Sequence, residues 1–463
     1  RVRHAHQPNH VRSRKTARRS PKITLIIGGE SPPGEDKSRQ PSAAALLFCF
    51  RIESGLMTGR LRALDGLRGL LALYILAGHT APFLRVPASA VWLGSILSHG
   101  RGAVELFFVL SGMVILRSLG TGVSRVGAGH FLCARAGRLL PVYAIALAAA
   151  AVALSCGDPF RALPWLDAND AAHDIAEAVW PQPWLAHLAA HMTLTQGLLP
   201  AAVLPNAEFT ILGPAWSLST EWQFYLVVAV ILAFRRTIHA GGDDWRVFAG
   251  ALIAVGVIGL LVDLLPAEWQ PGRAFLPHEA WYFALGIASH GLLSSRGTRA
   301  TRWWWALSLG AAAVLQWQQK PVMASVVPLL WTACLICEAH TIPSPLRPLA
   351  AVLNAAPMQW LGRISYPLYL IHMPVQRLLM LGIAKAVGGN AIGFTLLWAP
   401  AAILVPLIVA SALHRWVEVP CWQWSRRQAE QRGRHFFLQK EAKMLIGLPA
   451  SIETPIQPGP ASQ

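Results

Sequence analysis

Residues 60–80 read RLRALDGLRGLLALYILAGHT. From Arg62 to Thr80 this stretch is apolar enough to lie buried as a helix in lipid, yet it carries Asp65, Arg68 and His79, groups that are costly inside a bilayer and therefore point to a function. Arg68 and His79 are eleven residues apart, which at ~100° per residue leaves them only ~20° apart around a helix and ~16 Å apart along it. A guanidinium near one membrane face and an imidazole near the other thus look down the same side of one helix.

Working outward, apolar runs recur at about 101–119, 139–155, 215–234, 246–265, 277–293, 303–317, 322–339, 364–384 and 391–415 of the 463 residues. With 54% hydrophobic and only 14% charged residues, this pattern excludes a soluble enzyme with one ordinary core. Lipid offers no hydrogen bonds, so unalternating runs of this length are helices. The expectation is an all-α, polytopic integral membrane protein of about ten transmembrane helices, with both termini cytoplasmic. A further run, 184–200, is short and half polar and is read as re-entrant or interfacial. One extra crossing there would invert every later loop.

The formal charge of +17 would suggest nucleic acid in a soluble chain. Residues 1–56, however, hold eleven Lys/Arg against four Asp/Glu, and much of the remaining +10 falls in short loops between apolar runs. Arg117, Arg125, Arg135 and Arg138, then Arg235 and Arg236, then Arg296, Arg299 and Arg302, then Arg347 and Arg363, and finally the stretch from Arg415 all land on one side, the positive-inside pattern. The partner implied is a lipid bilayer, not nucleic acid. Residues 1–56 read as a basic leader that is disordered or not native, with the chain expected to begin at Met57; a genuine cytoplasmic arm is the other reading. The transmembrane domain is expected over 57–420 and a basic, then Pro/Gly-rich, cytoplasmic tail over 421–463. Trp303, Trp304 and Trp305 read as interfacial anchors.

Six scattered cysteines imply no disulfide framework, and Cys334-x-x-Cys337 inside an apolar run reads as packing. His187 and His191 have the spacing of two helical metal ligands but no third ligand or catalytic Glu between them, so no metal site is expected.

The topology gathers polar groups at two levels. His79, Glu105, Ser217 and Glu221 are expected at the outer face, where a carboxylate beside an imidazole would fix its tautomer and support it as a general base. An intramembrane histidine can equally be a packing residue. At the inner face Arg68, Arg135 and Arg138 come together; Arg135 and Arg138, three apart on a helix, would share a face as a clamp on phosphate requires. An ordinary positive-inside loop is the alternative. His372, in IHMPV, is either a second pocket residue or a core histidine. The loop from Asp158 to Glu177 is the expected seat of acceptor selection.

These stretches together resemble the acyltransferase-3 family of membrane-bound bacterial O-acyltransferases. The resemblance spans Leu61 to about Pro420 and rests on LDGLRGLLALYILAGH, VELFFVLSGMVI, RAGRLLPVY, GPAWSLSTEWQFYL, LGRISYPLYLIHMPV and HRWVEVP, in that order. It implies a stand-alone inner-membrane enzyme that moves an acyl group, usually acetyl, from acyl-CoA as co-substrate to a hydroxyl of a carbohydrate or glycolipid acceptor, with no tightly bound cofactor. By the same resemblance His79 is the base, Glu105 its partner, and Arg68, Arg135 and Arg138 the donor contacts, with Ser217, Glu221 and His372 as further pocket residues. Ionisable groups among many helices also describe a proton-coupled transporter or a glycan flippase, although no inverted repeat is evident.

Overall fold

In the computed structural model the described residues are 61–86, 89, 91–120, 127–166, 180–234, 244–294, 299–319, 321–338 and 342–428. The leader read over 1–56, most of the tail, and Arg125, Arg235, Arg236 and Arg296 lie outside them. Among the described residues every named element is helical. The helices are α1 (Arg62–Thr80), α2 (Val91–Leu97), α3 (Gly100–Gly120), α4 (Ala128–Ser155), α5 (Trp184–Met192), α6 (Ala215–Phe234), α7 (Asp244–Val262), α8 (Leu276–Ser294), α9 (Arg299–Gln319), α10 (Pro321–Cys337), α11 (Arg347–Asn354), α12 (Ala356–Val387) and α13 (Ala391–Leu413). A π-helical turn, His414–Glu418, follows α13, and the helix then runs on to Gln428.

All ten apolar runs are helical. Among the described residues six helical stretches are long and apolar enough to cross a membrane: Trp92–Leu119, Ala128–Ser155, Ala215–Phe234, Trp245–Val262, Ala356–Val387 and Ala391–Gln428. Six of the ten expected spans thus meet that criterion of length and composition, which does not establish the count of ten. The other four runs are α1, whose polar groups lower its hydropathy, together with α8, α9 and the shorter α10. The 184–200 run folds as the nine residues of α5 followed by a 3₁₀ turn, ~14 Å of helix against a ~30 Å hydrocarbon core, so it does not span.

Burial is arranged for lipid. Leu226, Val230, Leu261, Leu396, Leu404 and Ile408 are exposed on helix surfaces, while Glu105, Glu279, Gln223 and His372 are buried between helices. A soluble chain would invert that order. The protein is a multi-pass membrane protein.

Close helix packing depends on glycine. A Cβ at Gly66 or Gly69 of α1 would run into the backbone carbonyls of Leu353 and Met358, and one at Gly362 of α12 into that of Asp65. Gly112 and Gly286 make the matching contacts between α3 and α8, against Phe283 and Val109. In lipid such small-residue contacts stand in for the missing hydrophobic drive between helices. The first turn of α1 is further anchored from α10: Glu338 accepts the Leu64 backbone N–H at 3.0 Å, supplying a carboxylate to a helix start that lacks its own side-chain cap.

Candidate active site

The C-terminal end of α1, the start of α3, the last turns of α4 and the middle of α12 surround a cavity of about 640 Å³. His79 and Gly78 line it from α1, Arg101 and Val104 from α3, Ala153 from α4, and Tyr369, Gln376 and Arg377 from α12. The segment from Phe209 to Trp216 and Arg273, in the loop before α8, complete the wall.

His79 sits one turn after Ile75, and its Nδ1 lies 2.9 Å from the Ile75 carbonyl oxygen. A carbonyl only accepts, so Nδ1 carries the hydrogen and Nε2 of the neutral ring keeps its lone pair. The helix itself thereby selects the tautomer a general base requires. The His372 ring meets that of His79 edge to face, centroids 4.9 Å apart, and its own Nδ1 donates to the Leu368 carbonyl at 3.1 Å. His372 does not line the cavity; it is buried behind His79.

Glu105 is placed differently from the expectation. It lies on the helix that borders the cavity, but its carboxylate bonds Arg101 Nε at 3.0 Å and does not serve His79. Arg101 stands one turn earlier on the same face of α3, an i,i+4 pairing that captures the carboxylate locally. Arg101 also donates through Nη2 to Glu279 of α8 at 3.2 Å, so one guanidinium bridges two buried carboxylates.

Ser217 stays at the histidine level, its hydroxyl donating to the Tyr369 hydroxyl oxygen at 3.0 Å. Glu221, one turn further along α6, does not. It accepts hydrogen bonds from Ser111, at 2.9 Å, and from Tyr225, and its charge acts on Arg68 and Arg135. A rise of ~6 Å over four residues is enough to carry it from the histidine level to the arginine level. The expected grouping of Glu221 with His79 is corrected accordingly.

At that second level Arg68, Arg135 and Arg138 do come together. Arg68 is half-buried; its Nε is buried and has no hydrogen-bond partner among the described residues, and its electrostatic neighbours are Arg138, Glu221, Asp65 and Tyr225. Arg135 donates to Ser118 at 2.7 Å and stacks over Phe131 and Tyr225, 5.6 and 5.7 Å from the ring centroids. Arg138 faces Glu418 at 3.8 Å, and Glu418 in turn pairs with His414. Because α4 begins at Ala128, both of its arginines are helical, as the shared-face reading requires.

His187 and His191 are both buried and share the Thr210 hydroxyl, at 2.9 and 3.4 Å. Asp158 caps its own turn by accepting the Phe160 N–H at 2.9 Å; of the loop singled out for acceptor selection, Asp158 to Glu177, the part from 167 to 177 lies outside the described residues. Cys334 and Cys337 are buried, as packing residues would be.

The family model for an acyltransferase domain matches residues 61–415. The chain belongs to the acyltransferase-3 family. Among curated proteins it is similar to "Acyltransferase MdmB" of Streptomyces mycarofaciens, 26% identical over 389 residues that cover 78% of this chain and 92% of that protein. It is also similar to "Protein 2 in picA locus" of Rhizobium radiobacter, 34% identical over 177 residues, which are 37% of this chain and 79% of that one. No solved structure matches. The protein is therefore a membrane acyltransferase, and the carrier reading of its intramembrane charges falls away.

Sequence reasoning missed Arg101, Arg273, Tyr369, Gln376 and Arg377 on the cavity wall. Arg101 alone left a signal, its i,i+4 spacing to Glu105.

Proposed function

We propose that this acyltransferase moves an acyl group, acetyl in the first instance, from acyl-CoA to a hydroxyl of a carbohydrate-containing acceptor at the cell inner membrane. The observation that carries the reading is the single helix α1, with an accessible base at one end and, at the other, a half-buried guanidinium whose Nε–H is unpaired among the described residues. Arg68, Arg135 and Arg138 have the charge and planarity to hold the phosphates of CoA. The ~16 Å that separates Arg68 from His79 suits a donor whose anionic head lies at one level and whose thioester lies deeper.

In the reaction, His79 Nε2 takes the proton of the acceptor hydroxyl as its oxygen attacks the thioester carbonyl carbon. The carbon–sulfur bond breaks, and the imidazolium returns the proton to the departing thiolate. The products are an ester and free CoA thiol. No metal or tightly bound cofactor is required. His372 supports the ring of His79, and Tyr369, held by Ser217, offers its hydroxyl to the sugar. Glu105 acts through Arg101, which faces the cavity, and Glu221 orders the arginine level.

The test incubates membranes containing the protein with labelled acetyl-CoA and follows label in extractable polysaccharide and lipid-linked glycan. Wild-type protein is expected to transfer label, and His79→Ala to lower transfer by roughly 10²- to 10⁴-fold. Transfer that survives H79A would sink the role of His79, and label that never leaves CoA would sink the donor assignment.

A further inference from the structure

Among the described residues the cavity wall carries three arginines, Arg101, Arg273 and Arg377, and no carboxylate. Arg101 is held by Glu105 and Glu279. Arg377 donates to the backbone carbonyls of Ala153, at 2.9 Å, and Gly157, at 2.7 Å. Arg273 differs from both: among the described residues its guanidinium has no hydrogen bond and no ion pair. It lies over two aromatic rings instead, 4.9 Å from the Phe209 centroid and 6.0 Å from that of Trp216.

The backbone beside Arg273 is fixed with unusual care for a loop. The Ala274 N–H donates to Glu208 Oε2 at 2.7 Å, and the Ala274 carbonyl accepts from Thr220 Oγ1 and Gln223 Nε2, both at 2.9 Å. Gln223 Oε1 then accepts the Leu276 N–H at 2.9 Å. Glu208, whose charge reaches Arg273, is thereby committed to the backbone and does not pair with the guanidinium. Ala202 N–H donates to the Glu268 carbonyl at 2.8 Å, and Pro200 bridges Pro271, so the loop is also tied to the segment after α5.

A guanidinium that lies over aromatic rings keeps its N–H edge available, and in a fixed loop that edge is pre-organised for two parallel bonds to one planar anion. The charge of Arg101 acts against that on Arg273, whose side chain is exposed, and an arriving anion would relieve that repulsion.

We propose that Arg273 binds a carboxylate or phosphate group carried by the hydroxyl acceptor, so that the enzyme selects acidic acceptors. The proposal rests on reading the cavity as the acceptor site. It goes beyond that reading by naming the charge of the acceptor and the residue that recognises it. The other source of such an anion is the CoA donor, whose proposed contacts lie at the Arg68 level.

The experiment uses the full chain in lipid nanodiscs and two probes, phenyl β-D-glucuronide and phenyl β-D-glucoside, which differ only in a carboxylate against a hydroxymethyl group. Wild-type protein is expected to bind the glucuronide about tenfold more tightly, the size of one charge-assisted pair. In R273Q the two affinities converge because the glucuronide weakens while the glucoside does not, and R273K retains part of the preference. Equal affinities in the wild type, no measurable glucuronide binding, or a preference unchanged in R273Q overturns the proposal. So does a variant that weakens acetyl-CoA binding alone, which would assign Arg273 to the donor. Label transfer from acetyl-CoA is measured in parallel. A charge preference without any transfer supports the anion site and rejects the proposed reaction, whereas transfer without a preference does the reverse.

Discussion

At the residue scale the pairing of His79 with His372 carries the most information. Each imidazole donates through Nδ1 to the carbonyl four residues before it, so both rings are fixed by their own helices and each keeps its Nε2 lone pair. Two imidazoles at 4.9 Å cannot both be protonated without strong repulsion, so the pair is suited to one proton at a time. His372→Phe keeps a ring against His79 but removes the imidazole. It is expected to lower kcat about tenfold at unchanged acceptor KM. A role confined to packing would lower the yield of folded enzyme and leave kcat per folded enzyme unchanged. The sequence pointed instead to Glu105 as the partner, because a carboxylate at the right depth is the usual support for an intramembrane base. What it could not weigh was competition: Arg101, on the same face one turn away, holds Glu105, while His372 approaches from a helix nearly 300 residues distant in sequence. Local spacing is legible in a sequence, and long-range choice between partners is not.

At the element scale the short helix α5 behaves as a clamp on the loop that walls the cavity. Leu194, Asn206 and Ile211 have positive φ, 59°, 53° and 56°, a conformation that costs non-glycine residues roughly 1 kcal/mol or more each and persists only when contacts enforce it. Thr210, adjacent to Ile211, is held by both His187 and His191, and Tyr143 fixes the His191 carbonyl from α4 at 2.8 Å. Burial, with the neighbouring His187, pushes the pKa of His191 down to about 4, and burial lowers that of His187 too. The unfolded chain therefore binds more protons than the folded one between pH 6.5 and 4. Stability from this clamp is complete above the ordinary histidine value and is lost as pH falls toward 4, by up to about 3 kcal/mol for His191. Melting temperature measured against pH in nanodiscs should fall across that window in the wild type and fall less steeply in His191→Asn; identical slopes would remove the clamp. The sequence identified this segment as one that does not span, from its length and polarity, and missed its purpose because Thr210 lies outside any periodic pattern. The same limit applies to helix ends. Hydropathy located the cores of α4 and α12 but placed their starts at 139 and 364 instead of Ala128 and Ala356, because interfacial turns are helical without being apolar.

At the scale of the whole molecule, the glycine contacts determine whether the site can form. Gly112 lies seven residues after Glu105 on α3, and Gly286 seven after Glu279 on α8, about two turns in each case, so on each helix the glycine and the carboxylate share a face. α3 starts at the cavity and α8 three residues after Arg273 of its wall, and Phe108 stacks on Phe283 between the two levels, centroids 4.9 Å apart. The glycine contact thus sets the separation across which Arg101 reaches Glu279. A Cβ at Gly286 would meet the Val109 carbonyl well inside van der Waals distance, and a backbone atom cannot step aside as a flexible side chain would. The two helices must part instead. Gly286→Ala is expected to lower stability by roughly 1–3 kcal/mol, the usual cost of overpacking, despite the better helix propensity of alanine. Among the described residues no atom beyond its own helix backbone lies within 4 Å of where a Cβ would stand on Gly310, on α9, so Gly310→Ala should be neutral or stabilising by up to about 1 kcal/mol. Thermal melting of the two variants in nanodiscs separates packing from propensity. If Gly286→Ala melts with Gly310→Ala, the close approach of α3 and α8 is not what holds the carboxylate pair. If it melts lower, its residual acyl transfer should fall further than its stability, because the parted helices leave Arg101 unable to bridge Glu105 and Glu279 at the edge of the cavity.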